Sequence, residues 1–300
     1  MGQAIRCGAV RPMISINAYA KINLSLEILG KRPDGYHEVV TVMQTVSLHD
    51  TLTLEAAPEI SLECDRPDLG DESNLAIKAA RLLRERASHP GGALIRLEKR
   101  IPVAAGLGGG SSDAAAALKG LNTLWGLRLS EDELRAIGAE LGSDVPFFIH
   151  GGTAMAQGRG ERIRPLPPIS LEWFVILCPK IELPNKTAAL YRRITPADYT
   201  PGHLTRKLEA RIRDHHGDVP PQLLYNAFDG VAKEAFPGLK EYWDAFYALG
   251  AREIHLAGAG PSLFAPVSRK ELGTALQLML KHRHGWEAHL VSAWRPEGTR

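Results

Sequence analysis

The sequence has few cysteines and no long apolar run. Its three cysteines, Cys7, Cys64 and Cys178, are far apart in a chain of 300 residues. Such a set indicates neither a disulfide framework nor a zinc site, and it favours a reducing, cytoplasmic compartment. No apolar run approaches the roughly 18 residues of a membrane span. The apolar stretches near the start of the sequence are too short for a signal peptide. Residues 1–12 precede the first patterned segment, and we interpret them as a disordered extension or the product of an upstream start codon.

A strong excess of charge of one sign is also absent. Lysine and arginine number 36 against 34 acidic residues, which gives a net charge of +2. This balance gives no electrostatic reason to bind nucleic acid or a membrane surface, so we expect a small-molecule partner. The histidines show no metal-ligand spacing, and we predict no metal ligands among the side chains. The apolar fraction of 44% is that of a globular protein with one large or two ordinary domains.

Glycine, in contrast, is frequent, with 29 residues, and four of them are clustered in one short segment. Residues 102–118 read PVAAGLGGGSSDAAAAL, in which four glycines in five positions precede two serines and a run of helix formers. Glycine allows close approach of the backbone to a ligand, and Ser111 or Ser112 is predicted to cap the helix. Backbone N–H groups and the positive end of a helix then meet at one point, which favours phosphate binding. The alternative, a flexible linker, would not run directly into a capped helix.

This segment differs from the two commonest phosphate loops. No lysine follows Gly110, as a P-loop requires. Ser111 stands where a dinucleotide-binding fingerprint has glycine or alanine, and Pro102 makes residues 100–105 a poor central strand. We therefore predict a phosphate site, most simply for a nucleotide, of another type.

The rest of the chain predicts a mixture of strands and helices. Residues 18–28 alternate between apolar and polar side chains, which predicts a strand with one buried face and with Lys21 and Asn23 together on its polar face. Prolines 165, 167 and 168 are interpreted as a domain boundary. Further strands are predicted at 39–48, 51–55, 94–98, 172–178, 254–257 and 291–294. Helices are predicted after Ser73, after a Ser130–Glu133 capping box, within 195–221, at 239–249 and after a Ser268–Glu271 capping box. Strands and helices alternate irregularly, which indicates an α+β protein in two layers.

Asp144 is the best candidate for an acid–base residue. Phosphoryl transfer needs phosphate donors, a cation near the transferred group and an acceptor for the hydroxyl proton. Asp144 lies between a predicted helix end and the apolar run VPFF, so its carboxylate is expected to be partly buried and to need a partner such as Lys21. If Asp144 is considered alone, the simpler interpretation is an ordinary acidic residue in a loop. Asp144 becomes the best acid–base candidate because the glycine loop predicts a phosphate site.

Aromatic residues make up only 6% of the chain, and a few of them are candidates for binding a flat base. Tyr36 and His37 follow a turn and could stack on a base and hydrogen-bond to it, although packing on the sheet fits the pattern equally well. Tyr191, on a predicted helix, is more typical of a core residue. The second glycine turn, 258–262, either only reverses the chain or brings backbone near a ligand.

Several segments, in order along the chain, together resemble the GHMP kinases (galactokinase, homoserine, mevalonate and phosphomevalonate kinases). Residues 102–115 resemble their ATP-binding motif, and 256–262 resemble their C-terminal glycine motif. Residues 18–24 (AYAKINL), 32–37 (RPDGYH) and 142–148 (GSDVPFF) resemble the N-terminal strand, the cytidine loop and the catalytic-aspartate segment of one branch of the family.

The resemblance implies a two-domain α+β fold with the active site in the interdomain cleft. Residues 1–165 would form an N-terminal ATP-binding domain like ribosomal protein S5, and residues 166–300 a ferredoxin-like α/β sandwich. It implies an ATP- and Mg²⁺-dependent kinase, cytoplasmic and a monomer or weak homodimer. This branch phosphorylates the 2-hydroxyl of cytidine diphospho-methylerythritol in the non-mevalonate route to isoprenoids. The alternatives are another GHMP kinase acting on mevalonate, homoserine or a sugar, and a non-catalytic nucleotide-binding relative.

Roles follow from the resemblance by position. Asp144 would be the base and Lys21 its partner. Substrate contacts would come from Asn23, Tyr36, His37, Thr187 and Tyr191, with Tyr191 stacked on the cytosine. The ATP-binding residues would be Pro102, Val103, Ala104, Ala105, Gly106, Leu107, Gly108, Gly109, Gly110, Ser111 and Ser112.

Two departures from the family pattern are visible. Ala104 and Ala105 replace residues that are often glycine or small, which is tolerated if their φ angles stay negative. Ala257 and Ala259 stand where serine or threonine is usual and remove a hydroxyl contact.

Overall fold

The computed structural model describes residues 12–296; Cys7 and nearly all of the predicted 1–12 extension lie outside the described residues. Within residues 12–296 the chain forms two β-sheets and nine α-helices. The strands are β1 (Met13–Lys31), β2 (His37–Ala57), β3 (Ser61–Cys64), β4 (Gly92–Glu98), β5 (Thr153–Gly158), β6 (Arg162–Pro165), β7 (Trp173–Cys178), β8 (Tyr225–Asn226), β9 (His255–Leu256), β10 (Leu263–Val267) and β11 (Glu287–Ser292). The helices are α1 (Leu75–Arg86), α2 (Gly109–Leu124), α3 (Glu131–Leu141), α4 (Val145–His150), α5 (Lys186–Tyr191), α6 (His203–Asp214), α7 (Asp229–Ala235), α8 (Leu239–Ala248) and α9 (Lys270–His284).

The first sheet is built around one long strand. β2 pairs antiparallel with β1 over almost its full length, with β5 near its start and with β4 near its end. The prediction of two separate strands at 39–48 and 51–55 was wrong, because both segments belong to β2. A bulge lets the strand continue, because Tyr19 pairs with His49 whereas the next residue, Ala20, pairs with Val46. Extra residues on one strand bend it and increase its twist, so the two ends of β2 can serve different neighbours.

Both faces of β1 are buried, which corrects the prediction of a single buried face. The side chains of Lys21, Asn23, Ser25 and Glu27 alternate with the apolar positions, yet each residue is at most 4% exposed. They remain buried because they are paired: Glu27, for example, accepts a hydrogen bond from the backbone N–H of Thr205 at 2.7 Å, near the start of α6. The polar face of the strand is therefore an internal surface.

The second sheet has the strand order β11-β7-β10-β9 and is antiparallel throughout. Helices α1 to α4 pack on one face of the first sheet, and α9 packs on the second sheet. Side chains of both sheets share one apolar cluster, to which Ile22 and Val42 contribute from the first sheet and Phe174 and Phe264 from the second. The predicted α+β layers are confirmed.

The start of each helix tests the predicted caps. The Ser130–Glu133 capping box is confirmed. The predictions for Ser73, Ser111 or Ser112, and Ser268 were wrong. Asn74 caps α1 by accepting from the N–H of Ala76, while α2 begins after Gly108 and α9 after Arg269 without any side-chain cap. At α2 the left-handed φ of +76° at Gly108 starts the helix before the serines, which fall in its first turn.

Strand β8 connects the two halves of the chain. Every other strand after Pro165 lies in the second sheet, but Tyr225 and Asn226 pair parallel with Ser25 and Leu26 of β1. The boundary near residue 165 stays a prediction. Over residues 12–296, no helix has both the length and the apolar character needed to cross a bilayer.

Candidate active site

A cavity of about 1220 Å³ brings together most of the candidate residues. Its walls come from β1, the glycine loop and the segment before α4 on one side, and from α5 and the turn at 258–259 on the other. Seventeen of the eighteen predicted site residues line it: Lys21, Asn23, Tyr36, His37, Pro102, Val103, Ala104, Ala105, Gly106, Leu107, Gly108, Gly109, Gly110, Ser111, Asp144, Thr187 and Tyr191. Ser112 is buried in the first turn of α2.

The glycine loop reaches the cavity as a backbone cradle. No side chain caps α2, so the N–H groups of its first turn are left without an intrahelical acceptor. The loop is fixed on both sides. The N–H of Lys21 in β1 donates to the carbonyl of Leu107 at 2.9 Å, and the N–H of Ser262 donates to the carbonyl of Ala105 at 3.2 Å. A held loop at a helix N-terminus is suited to an anion such as phosphate.

Glycine is required in this loop for space as well as for conformation. Gly106 has a φ of +87°, and a Cβ atom there would lie 2.1 Å from the carbonyl oxygen of Ala257. A Cβ on Gly108 would lie 2.6 Å from the ring of Phe148 in α4. The loop is thus packed between the second glycine turn and α4. Ala104 has a φ of +54°, so the expectation of a negative φ there was wrong; alanine holds a conformation in which glycine would be less strained.

Lys21 and Asp144 meet at the centre of the cavity. The Lys21 Nζ lies 3.8 Å from Asp144 Oδ2, with side-chain exposures of 5% and 36%. Lys21 also donates to Asn23 Oδ1 at 2.7 Å, and Asn23 Nδ2 donates to Thr41 Oγ1 at 2.8 Å. Asp144 immediately precedes α4 but makes no capping hydrogen bond, so its carboxylate is not engaged by that helix. The chain Thr41–Asn23–Lys21 fixes an ammonium group beside a partly exposed carboxylate.

The candidate aromatic residues lie at another part of the cavity. His37 and Tyr191 stack directly, with ring centroids 4.7 Å apart and an angle of 16°. This is a contact distance, so no base fits between the two rings as they stand. Tyr36 points outward, 56% exposed, with the guanidinium of Arg159 4.8 Å from its ring centroid. Burial and the charge of Lys31 lower the pKa of His37, which favours the neutral imidazole.

A buried charge cluster that the sequence analysis missed lies under the loop. The Lys99 Nζ is 2.5 Å from Asp50 Oδ2 and 2.7 Å from Asp113 Oδ2. Asp50 Oδ1 accepts from the N–H groups of Arg100 and Ile101 at 2.5 and 2.8 Å, which fixes the entry to the glycine loop. Burial raises the pKa of Asp113 to about 7, against the opposing charge of Lys99. An acid within an alanine run was the available signal, since α2 buries that position.

Lys186 was also missed. It is the first residue of α5 and lines the cavity beside Thr187. Its ammonium donates to the carbonyl of Ala104 at 2.5 Å and to that of Gly260. Burial and the charge of Lys21 lower the pKa of Lys186 to about 8. No local pattern could reveal it, because both of its acceptors are more than 70 residues away in the chain.

Comparison with known proteins agrees with this geometry. Residues 74–152 match the family model of the GHMP kinases N terminal domain. A solved 4-(cytidine 5'-diphospho)-2C-methyl-D-erythritol kinase superimposes with a TM-score of 0.80 at 35% identity, covering 94% of this chain and all of that one. A homoserine kinase from Cytophaga hutchinsonii gives a TM-score of 0.75 over 97% of each chain, but at 17% identity it supports the fold alone. The fold and the matched segment define a GHMP kinase.

Sequence similarity narrows the class. A curated 4-diphosphocytidyl-2-C-methyl-D-erythritol kinase from Dehalococcoides mccartyi is 45% identical over 285 residues, which cover 95% of this chain and 99% of the relative. The chain therefore belongs to the 4-diphosphocytidyl-2-C-methyl-D-erythritol kinase family, and it is an enzyme. The predicted family and fold class are confirmed.

The packing around Gly106 predicts that Gly106→Ala disrupts the loop. The new methyl group would overlap the carbonyl of Ala257, so we expect a loss of about 2–4 kcal/mol in the free energy of unfolding and at least about tenfold weaker ADP binding. Urea unfolding and calorimetric titration with ADP measure the two effects. Gly126→Ala is the matched control, because Gly126 also has a positive φ of +63° but has open space around it. Equal ADP affinity in the two variants would contradict the proposed role of the loop.

The charge cluster predicts a pH dependence of stability. The pKa of Asp113 is raised from 3.8 to about 7 in the folded protein, so the folded state binds a proton more tightly than the unfolded state between these values. The free energy of unfolding should therefore fall as pH rises from about 4 to 7, and this loss should be absent in Asp113→Asn. Between pH 5 and 8 we expect the wild type to lose on the order of 2 kcal/mol more than the variant.

Urea unfolding of both proteins at several pH values tests this prediction. The exposed Asp214→Asn variant is the control and should follow the wild type. A wild type whose stability runs parallel to that of Asp113→Asn over this range would show that Asp113 is ionised throughout, paired with Lys99.

Proposed function

We propose that this enzyme transfers the γ-phosphoryl group of ATP to the 2-hydroxyl of 4-diphosphocytidyl-2-C-methyl-D-erythritol, giving the 2-phosphate and ADP, in the non-mevalonate pathway to isoprenoids. One observation carries the proposal. A single cavity contains the Lys21–Asp144 pair, an uncapped helix start and the His37–Tyr191 rings. These supply, respectively, a proton acceptor, a phosphate cradle and groups suited to a nucleobase.

The residues present fit ATP with Mg²⁺. The uncapped first turn of α2 supplies N–H donors for phosphates, and glycine at 106 and 108 lets the loop that leads into it pack against Ala257 and Phe148. Among residues 12–296 no cluster of three or more metal-ligating His, Cys, Asp or Glu side chains occurs, and Mg²⁺ commonly takes most of its ligands from phosphates and water. Ser111 and Asp144, which line the cavity, are the protein oxygens suited to it. When bound, Mg²⁺ neutralises charge on the β- and γ-phosphate oxygens.

In the proposed reaction, Asp144 accepts the proton of the substrate 2-hydroxyl. The hydroxyl oxygen forms a bond to the γ-phosphorus as the bond from that phosphorus to the ADP oxygen breaks. Lys21, held by Asn23, keeps the carboxylate oriented and places a positive charge beside the reacting oxygens. A positioned base typically contributes about 10² to 10⁴ in rate, while the loop contributes positioning and charge stabilisation.

Recognition of the cytidine is assigned to the aromatic part of the cavity. A base can lie between the rings of His37 and Tyr191 only when His37 leaves its present contact. Burial and the charge of Asp144 raise the pKa of Tyr191 to about 12, so its phenol stays neutral. Neutral His37 has one ring nitrogen that donates and one that accepts, which suits the edge of a base. Thr187, next to Lys186 on α5, completes this wall. A cytoplasmic location and a monomeric or weakly dimeric state stay predictions.

Replacement of the proposed base provides the first test. Asp144→Asn should lower kcat by about 10² to 10⁴ with Mg²⁺, ATP and the cytidine substrate, because the amide cannot accept the hydroxyl proton. ADP release is the measurement. Asp132→Asn, at a site 82% exposed on α3, is the control and should keep full activity. An Asp144→Asn variant within tenfold of the wild type would remove Asp144 from the role of base.

The same assay separates the alternative functions. Turnover of mevalonate, homoserine or a sugar in place of the cytidine substrate would retain the kinase class but reject the substrate. Bound ATP without turnover of any of them would favour a non-catalytic relative.

Replacement of Tyr191 tests cytidine recognition. Tyr191→Ala removes the stacking surface, and we expect KM for the cytidine substrate to rise by about 5- to 100-fold, since base–aromatic stacking contributes about 1–3 kcal/mol. KM for ATP should stay unchanged. Tyr191→Phe keeps the ring and should behave like the wild type. If Tyr191→Ala alters both KM values equally, the residue supports the fold and not the base.

A further inference from the structure

Lys186 occupies an unusual position between the two glycine segments. It follows Asn185, whose φ of +49° is left-handed, and its side chain extends into the cavity. The ammonium donates to Ala104 at the start of the loop and to Gly260 in the second glycine turn. One cation thus joins α5 to both backbone segments that face the proposed phosphates.

The surroundings of Lys186 hold excess positive charge. Lys21 is close enough to act on it electrostatically, and the Nζ of Lys21 lies 2.9 Å from the position a Cβ on Gly258 would take. Asp144 is paired with Lys21, whereas Lys186 contacts carbonyl oxygens. Two ammonium groups that act on each other in this way repel unless an anion lies between them. This arrangement is suited to a ligand with several phosphate oxygens.

The backbone that Lys186 holds is itself strained. Ala104 adopts a φ of +54°, which costs an alanine energy, and its carbonyl is one of the two acceptors of Lys186. The contact therefore helps to hold the loop in its present conformation. If the ammonium group turns towards a phosphate, the same side chain links loop geometry to occupancy of the cavity.

We propose that Lys186 is a phosphate-binding residue of this cavity, which donates from its ammonium group to oxygens of the ATP phosphates or of the substrate diphosphate. The two sources present the same chemistry. The identity of the second source rests on the proposed function. Lys186 would complement the loop N–H groups with a charge that comes from the opposite wall. Hydrogen bonds to charged groups of this kind correspond to about 10- to 100-fold in affinity.

Separate titrations distinguish the two sources. Calorimetry with ADP and, independently, with the cytidine substrate should show that Lys186→Met weakens binding of one of them by about 10- to 100-fold. Lys186→Arg, which keeps a positive charge, should remain within a few-fold of the wild type. Lys180→Met is the matched control, since Lys180 is exposed on the same connection and does not line the cavity. If folded Lys186→Met binds both ligands with unchanged affinity, Lys186 only holds the two backbone segments together and the proposal is overturned.

The pH dependence of binding provides a readout that a structural role would not change. The charged group that acts on Lys186 is Lys21 of β1, whose partner is Asp144; Tyr191, on the same helix as Lys186, has a pKa of about 12 and stays neutral. Because burial lowers the pKa of Lys186 to about 8, wild-type affinity for the ligand it binds should fall as pH rises from 7 to 9. Lys186→Arg should not show this fall. Identical pH profiles for the two proteins would overturn the proposal even if Lys186→Met fails to fold.

The ADP titration also keeps this proposal separate from the proposed function. If the wild type does not bind the cytidine substrate but binds ADP in a Lys186-dependent manner, the proposed substrate is wrong and the proposed role of Lys186 stands.

Discussion

The attachment of the glycine loop to both sides of the cavity is the constraint on which the rest of the site depends. The N–H of Lys21 holds Leu107, and Ala105 holds the N–H of Ser262, so one short loop is bonded to a strand of the first sheet and to the turn that leads into the second. These bonds use loop carbonyls. They leave the N–H groups at the start of α2 directed to the cavity, because a helix start has donors without intrahelical acceptors. The position of the proposed phosphate cradle is thus set by main-chain pairing.

Buried polar side chains complete this frame. Burying a charge is unfavourable unless it is paired and hydrogen-bonded. Lys99 meets this condition between Asp50 and Asp113, and Lys21 meets it through Asn23 and Asp144. The first cluster fixes the segment that leads from β4 into the loop, and the second fixes the ammonium beside the carboxylate. Two separate charge networks therefore support the same few residues of backbone, one from below and one from within the cavity.

Local patterns in the sequence predicted where helices and strands lie better than they predicted which of their faces are buried. The glycines and alanines of 106–118 predicted a loop followed by a helix, and the alternation of 18–28 predicted β1. The helix start was misplaced because Gly108, with its positive φ, begins α2 without a serine cap. The polar face of β1 was assigned to the surface because its partners, such as Thr205, are distant in the chain.

The fold brings seventeen of the eighteen predicted site residues to one cavity. Lys186 was not predicted for the same reason that the burial of the polar face of β1 was not predicted, because its contacts are with residues distant in the chain. Asp113 stood within the quoted motif, but no pattern in its neighbours reveals a partner at Lys99. Sequence motifs thus located the cavity, and only the fold disclosed the charges that support it.

The short strand β8 has a mechanical consequence. Asn226 pairs along β1 and also donates to the carbonyls of Leu256 and Gly258, and the next residue, Ala227, donates its N–H to Leu26. Hydrogen bonds therefore join the two halves of the chain next to the cavity. A hinge rotation of one half against the other would have to break these hydrogen bonds. Ligand entry would then fall to side chains and turns at the rim of the cavity.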